Sequence, residues 1–130
     1  MNIKNKLSGE KFYSDVYNNR LQIYKENRGK SCVYCWYNFF DHKFYVGSTI
    51  NLNTRLSCYL SNKYLNKSIL RSKSLIYKSM LKYGYSNFDL IILKYCDIDE
   101  LTKWEQYYID ELKPEYNILK VAGSRFRVKS

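Results

Sequence analysis

SCVYCWYNFFDHKFYVGS (31–48) is the stretch from which the fold is read. It holds two aromatic and β-branched runs, SCVYCWY and KFYVGS, joined by the polar-ended link NFFDH. That is the pattern of two strands closed into a hairpin. Cys32 and Cys35 have the C-x-x-C spacing, but residues three apart on a strand point to opposite faces. Cys58 and Cys96 make no second close pair, and His42 is the only histidine. A four-ligand zinc site is therefore not expected, and the thiols read as reduced and mostly buried.

Outward from the hairpin, Gly47 closes the second strand. A helix is expected from about Leu52 to Leu60, started by Asn51 or Asn53, with Leu52, Leu56, Tyr59 and Leu60 inward and Arg55 beside that stripe. SNKYLNKSILRSK (61–73), rich in Lys, Ser and Asn, reads as a mobile basic loop. A second helix runs from Ser74 to Tyr83 with Gly84 as its stop, and NFDLIILKYC (87–96) reads as a buried strand. Asp97 and Glu100 form a capping-box-like start for a last helix, which Pro114 ends before EYNIL (115–119) returns extended. Upstream, Tyr13, Tyr17, Leu21 and Tyr24 recur at helical spacing, with Gly29 placed to end the helix. The expected organisation is an N-terminal helical extension over 1–30, one α+β domain over 31–123, and a short basic tail over 124–130. The domain order is β-β-α-α-β-α, with the third strand between or beside the hairpin strands.

A chain of 130 residues, 45% hydrophobic and 18% aromatic, is long enough for one core. No apolar run approaches the ~20 residues of a membrane span. The N-terminus carries neither an apolar signal core nor an acid-free, Arg-rich transit pattern. The formal net charge is +10, and it is segregated. From His42 to Phe88 there is no acid, while Lys43, Arg55, Lys63, Lys67, Arg71, Lys73, Lys78 and Lys82 are basic. From Asp89 to Glu115 the balance reverses. A basic block interleaved with Tyr and Asn suits a phosphate backbone, against the plainer reading of a solvated basic face. Lys43, Lys63, Lys67, Arg71, Lys73, Lys78 and Lys82 are thus the candidate DNA-contacting residues. Lys, Asn, Tyr and Ile fill 53 of the 130 positions, a bias that fits an AT-rich genome.

The last helix, DIDELTKWEQYYIDEL (97–112), sets Ile98, Leu101, Tyr108, Ile109 and Leu112 on one stripe and places Glu105 inside it. A carboxylate there needs a cation, an arginine or a strong hydrogen bond. The elements bring Tyr34, Tyr45, Arg55, Tyr59, Glu105 and Asn117 to strand ends or inward faces, without a serine, cysteine or histidine set for a triad. Such a set suits phosphodiester hydrolysis. The carboxylate can hold a divalent metal, Arg55 can clamp a phosphate oxygen, and a tyrosine beside a cation can relay a proton, Tyr34 being preferred over Tyr45. The plainer alternatives are amphipathic core tyrosines and a buried Arg55–Glu105 pair.

Cys32-Val33-Tyr34, with Tyr34 eleven residues before the Tyr45 of Tyr45-Val46-Gly47, resembles the paired signature of the GIY-YIG nuclease family. Arg55 in NLNTRL, MLKYGYSNF (80–88), Glu105 in WEQYYIDELKPEYNIL and Asn117 follow in family order. The likeness spans about Ser31 to Gly123 and is strongest to nuclease domains encoded by fungal mitochondrial introns. Cys32 replaces the first signature glycine, and Trp104 stands where an arginine often precedes the glutamate.

The resemblance implies a three-stranded antiparallel sheet flanked by helices. It also implies a DNA endonuclease of the intron-encoded homing type, or its remnant, dependent on Mg2+ or another divalent cation such as Mn2+. Tyr34 and Tyr45 are then the signature tyrosines and Arg55 the phosphate-binding arginine. Tyr59 lies near the scissile phosphate, Glu105 is the metal ligand and Asn117 supports the site. The metal at the sheet edge, with Arg55 near, would explain Glu105 in its stripe. DNA is the expected partner and the mitochondrion the expected location. No recognition module is expected beyond AGSRFRVKS, so weak specificity or a separate specificity-giving partner is expected. The competing expectation is a non-catalytic, basic nucleic-acid-binding module that keeps the fold.

Overall fold

The computed structural model describes residues 9–117. Of the extended return expected over 115–119, Glu115 and Tyr116 instead form a turn, and the residues after Asn117, with the basic tail at 124–130, lie outside the described residues. The elements are β1 (Lys11–Tyr13), α1 (Arg20–Glu26), β2 (Cys32–Asn38), β3 (Lys43–Thr49), α2 (Leu52–Tyr59), α3 (Asn62–Ile69), α4 (Leu75–Tyr83), β4 (Phe88–Tyr95) and α5 (Leu101–Leu112). Among the described residues no helix is long and apolar enough to cross a membrane.

The hairpin forms as its sequence predicts, with Tyr34 opposite Gly47 and Trp36 opposite Tyr45. The sheet is antiparallel but has four strands, in the order β1-β4-β2-β3, where three were expected. The extra strand is β1, whose Lys11 and Tyr13 pair with Ile92 and Leu90. Tyr13 therefore lies on a strand, and the helix starts only at Arg20. Pairing to β4 outweighs the helical spacing of Tyr13 and Tyr17. Behind it, Val16 and Ile23 are fully buried, which ties residues 11–26 into the core. β4 lies beside β2 and leaves β3 as an edge strand.

Strand alternation divides the core into two layers. Tyr34, Trp36, Leu56, Tyr59, Leu65, Met80 and Leu90 pack on the face covered by α2, α3 and α4. Val33, Cys35, Val46, Ile91, Leu101, Ile109 and Leu112 pack on the face covered by α5. Cys32 and Cys35 fall in different layers, as the strand reading requires, and burial pushes both thiols up, Cys32 to about 12. A register shift against β4 falls between Val33 and Tyr34, which puts an irregularity beside the signature tyrosine.

The segment 61–73, expected to be a mobile loop, contains α3. Ser61 caps it by accepting from the Tyr64 amide, and Leu65 anchors it in the core. One buried leucine and a cap suffice where composition suggested a loop. Asn51 and Ser74 cap α2 and α4 in the same way, and Gly84, with φ 85°, ends α4 in a conformation that favours glycine. At the last helix Asp97 makes no side-chain capping bond; Ile98–Glu100 is a 3-10 turn, and Ile98 is exposed rather than part of the stripe.

Candidate active site

Three tyrosines and an arginine meet on the α2–α4 face beside β3. The Tyr34 and Tyr59 hydroxyls share a hydrogen bond of 2.9 Å, and the Tyr34 ring lies 6.4 Å from that of Tyr45. Arg55, Tyr34, Tyr59, Trp36, Leu52, Leu56 and Leu90 line a shallow pocket. Gly47 makes the arrangement possible. A Cβ there would lie 2.7 Å from Tyr34 Oη and 2.8 Å from Tyr45 Cε2. Only a residue without a side chain lets the Tyr34 ring cross the edge strand.

Arg55 donates from Nη1 to Tyr77 Oη at 3.2 Å. Burial works against its charge, but Tyr34, Tyr59, Tyr77 and Tyr45 together outweigh this and hold the guanidinium protonated. Among the described residues it forms no ion pair. A half-buried cation surrounded by phenols rather than carboxylates is ready for an anion.

The tyrosines respond in the opposite sense. Burial pushes Tyr34 well above its ordinary value, Tyr45 adds to the rise, and Arg55 only partly offsets it. Tyr59 is raised by burial and then by Tyr34, Tyr45 and Tyr77. The expectation that Arg55 would lower the Tyr34 phenol and make it a proton acceptor is therefore corrected: desolvation disfavours the phenolate more than the nearby cation favours it. Tyr45, on the same face, is the signature tyrosine with partial exposure.

Glu105 reaches the site from the other side. It is 4% exposed on the α5 stripe that also buries Leu101, Ile109 and Leu112, and its Oε1 accepts from Ser48 Oγ at 2.5 Å. Ser48 adjoins Gly47 and faces away from the tyrosines. Arg55 does not pair with Glu105, which corrects the buried-pair alternative: the two belong to opposite faces and flank the edge strand β3. Among the described residues no cation stands within 4.0 Å of Glu105, and no group of three or more His, Cys, Asp or Glu is disposed to hold a metal. One buried carboxylate with a hydroxyl partner is an oxygen-only donor set. It fits Mg2+ or a similar hard cation, which is commonly held through one or two carboxylates and completed by water and substrate phosphate.

Asn117 closes the outer edge of β3. Its Oδ1 accepts from the Val46 amide at 2.9 Å and its Nδ2 donates to the Val46 carbonyl at 2.8 Å. The Tyr116 amide donates to the Phe44 carbonyl at 3.2 Å alongside it. Asn117 thus supports the site by fixing the strand between the tyrosines and Glu105, its amide oxygen and nitrogen both bonded to Val46 backbone.

The expected DNA-contacting residues are all exposed. Lys63 and Lys67 lie on α3, Arg71 and Lys73 between α3 and α4, Lys78 and Lys82 on α4, and Lys43 at the start of β3. All but Lys43 cover the tyrosine face, whereas acidic Asp110 and Glu111 sit on α5 across the sheet. Sequence reasoning missed Tyr77 and Ser48. Tyr77 lies in a run whose only visible signal was helical spacing. Ser48 was legible as the residue after Gly47, on the opposite strand face.

A sequence profile of the GIY-YIG catalytic domain matches residues 30–117. Among solved structures, the catalytic domain of the homing endonuclease I-TevI is 28% identical with a TM-score of 0.56, over 69% of this chain and 99% of that one. An alanine-for-glutamate variant of the catalytic domain of the intron endonuclease I-TevI is 28% identical with a TM-score of 0.58, over 72% and 97%.

Proposed function

As a member of the GIY-YIG catalytic-domain family the chain is a DNA endonuclease, and we propose that it hydrolyses phosphodiester bonds with a divalent cation held at Glu105. The observation that carries this reading is the division of labour across β3. Among the described residues, a protonated arginine without a carboxylate partner stands on one face, and a buried carboxylate without a cationic partner stands on the other. A strand edge where both faces meet can accept one phosphate between them.

Arg55 binds and orients the phosphate through its planar fork, and Tyr77 holds that fork from behind. Tyr34 and Tyr59 stay protonated and act as donors and packing walls rather than bases. Tyr45, partly exposed beside Arg55, is the phenol placed to take a proton from the attacking water at Oη. Glu105, oriented by Ser48, would hold Mg2+ or Mn2+. When bound, such a cation polarises phosphoryl oxygen and offsets the charge that develops in the transition state. Lys63, Lys67, Lys78 and Lys82 supply contacts to the backbone and carry little base information. Specificity then rests on a further module or partner.

The AT-rich residue bias supports an intron-encoded homing origin in a fungal mitochondrion. The burial of Glu105 counts against a binding module without catalysis, since phosphate binding gains nothing from a carboxylate. The test is incubation with supercoiled plasmid with and without Mg2+, for wild type and Arg55→Ala. Nicking or linearisation by wild type only, and only with the cation, is expected; metal-independent or Arg55-independent cleavage would overturn the assignment.

A further inference from the structure

The hairpin tip exposes an aromatic ring that the catalytic reading leaves without a use. Phe40 is 67% exposed, yet its ring packs on Tyr83 with centroids 5.0 Å apart and planes 36° off parallel. The tip is not loose. The Phe40 amide donates to Asn38 Oδ1 at 2.9 Å, the His42 amide to the Asn38 carbonyl at 2.8 Å, and Asn38 is fully buried. Asn38 Nδ2 in turn donates to Tyr116 Oη at 3.1 Å, and Tyr116 Oη donates to Asp41 Oδ2 at 2.5 Å, so the one acid in the turn is engaged. The surroundings are cationic. Lys82 Nζ sits 5.2 Å from the Tyr83 ring centre, and Lys43 is exposed three residues after Phe40 at the end of the same turn. An exposed ring held on a hydrogen-bonded turn and backed by a second ring that carries a lysine is the chemistry of a base-stacking platform.

Its position fits the proposed nuclease, on which this inference rests. Tyr77, which holds Arg55, and Tyr83, which backs Phe40, stand on the same helix α4 six residues apart. Six helical residues rise about 9 Å. Along the helix axis that is on the order of two to three base steps at ~3.4 Å each. We propose that the Phe40–Tyr83 pair stacks an unpaired nucleobase a few nucleotides from the scissile phosphate, with Lys82 or Lys43 on the adjoining phosphate. The substrate class is therefore DNA with a frayed, flipped or single-stranded base beside the cut.

The test measures binding of the full chain to a single-stranded oligonucleotide carrying one 2-aminopurine, and to the matched duplex, by anisotropy and 2-aminopurine emission. Wild type, Phe40→Ala and Phe40→Trp are compared, with a thermal melt for each. Phe40→Ala is expected to lose about 5- to 100-fold in single-strand affinity together with the emission change. Its duplex affinity stays within a few-fold and Phe40→Trp restores both signals. Wild-type single-strand binding by a folded Phe40→Ala overturns the platform while leaving the nuclease reading intact. Failure of wild type to bind either DNA overturns the nuclease reading as well. Phe40-dependent self-association without a Phe40 effect on DNA would assign the ring to a protein contact and overturn the proposal.

Discussion

Ser48 donates its hydroxyl proton to Glu105 Oε1 across 2.5 Å, and this bond joins the edge strand to the helix that carries the carboxylate. Glu105 is almost completely buried, so a donor at Oε1 fixes which part of the carboxylate remains for a cation. Ser48→Ala leaves that oxygen without its donor, which costs about 1–3 kcal/mol in a buried site. Cleavage is expected to fall and the Mn2+ requirement to rise. Ser48→Thr retains the hydroxyl and restores both. Mn2+ titration without DNA, with thermal melts, checks this; unchanged Mn2+ affinity in Ser48→Ala would remove Ser48 from the site.

Gly47→Ala tests the packing that brings Tyr34 across β3. The added carbon would meet Tyr34 and Tyr45 at 2.7–2.8 Å. Overpacking of this kind costs about 1–3 kcal/mol and shifts both rings. A lower melting temperature and a larger loss of cleavage than of DNA binding are expected. Wild-type cleavage in the alanine variant would show that the close approach is not needed.

Arg55→Lys keeps the charge but loses the planar fork, so single-turnover cleavage is expected to drop roughly 100-fold or more. Tyr77→Phe removes only the 3.2 Å bond that holds the fork, and a smaller loss, mainly in turnover, is expected. Equal losses in the two variants would show that Tyr77 does more than position Arg55.

The tyrosines separate by substitution. Tyr34→Phe and Tyr45→Phe are expected to differ, with Tyr45→Phe the more damaging, by about 10²–10⁴-fold. Stability follows from the raised phenols. Tyr34 and Tyr59 are raised in the folded chain, so the unfolded chain loses its protons first as pH passes ~10. Their contribution is fully present below that pH and is lost as pH rises toward the folded values. Melts from pH 8 to 11.5 are expected to fall steeply above ~10, and Tyr34→Phe flattens that fall. A melting temperature flat through this range would contradict the burial of these phenols.

Most of the site was legible because strand alternation and helix caps act locally. The hairpin, the cap at Asn51, and the placing of Tyr34, Tyr45, Arg55 and Tyr59 at strand ends or inward faces follow from neighbouring residues. What escaped depended on distant partners. β1 is a strand only because β4 offers it an edge, and α3 is a helix because Leu65 finds the core. The separation of Arg55 from Glu105 by β3 required the sheet order, which no local pattern contains. The protonation of Tyr34 required knowing that burial outweighs the cation beside it.

Glu105→Gln tests the central claim most directly. The glutamine carbonyl can still accept from Ser48, so fold and DNA affinity are expected to stay near wild type, while the charge that would hold a cation is gone. Single-turnover plasmid cleavage in Mg2+, measured with a thermal melt and DNA binding on the same preparation, is predicted to fall at least ~10²-fold with the other two unchanged. A folded, DNA-binding Glu105→Gln protein that cleaves within a few-fold of wild type would contradict the account.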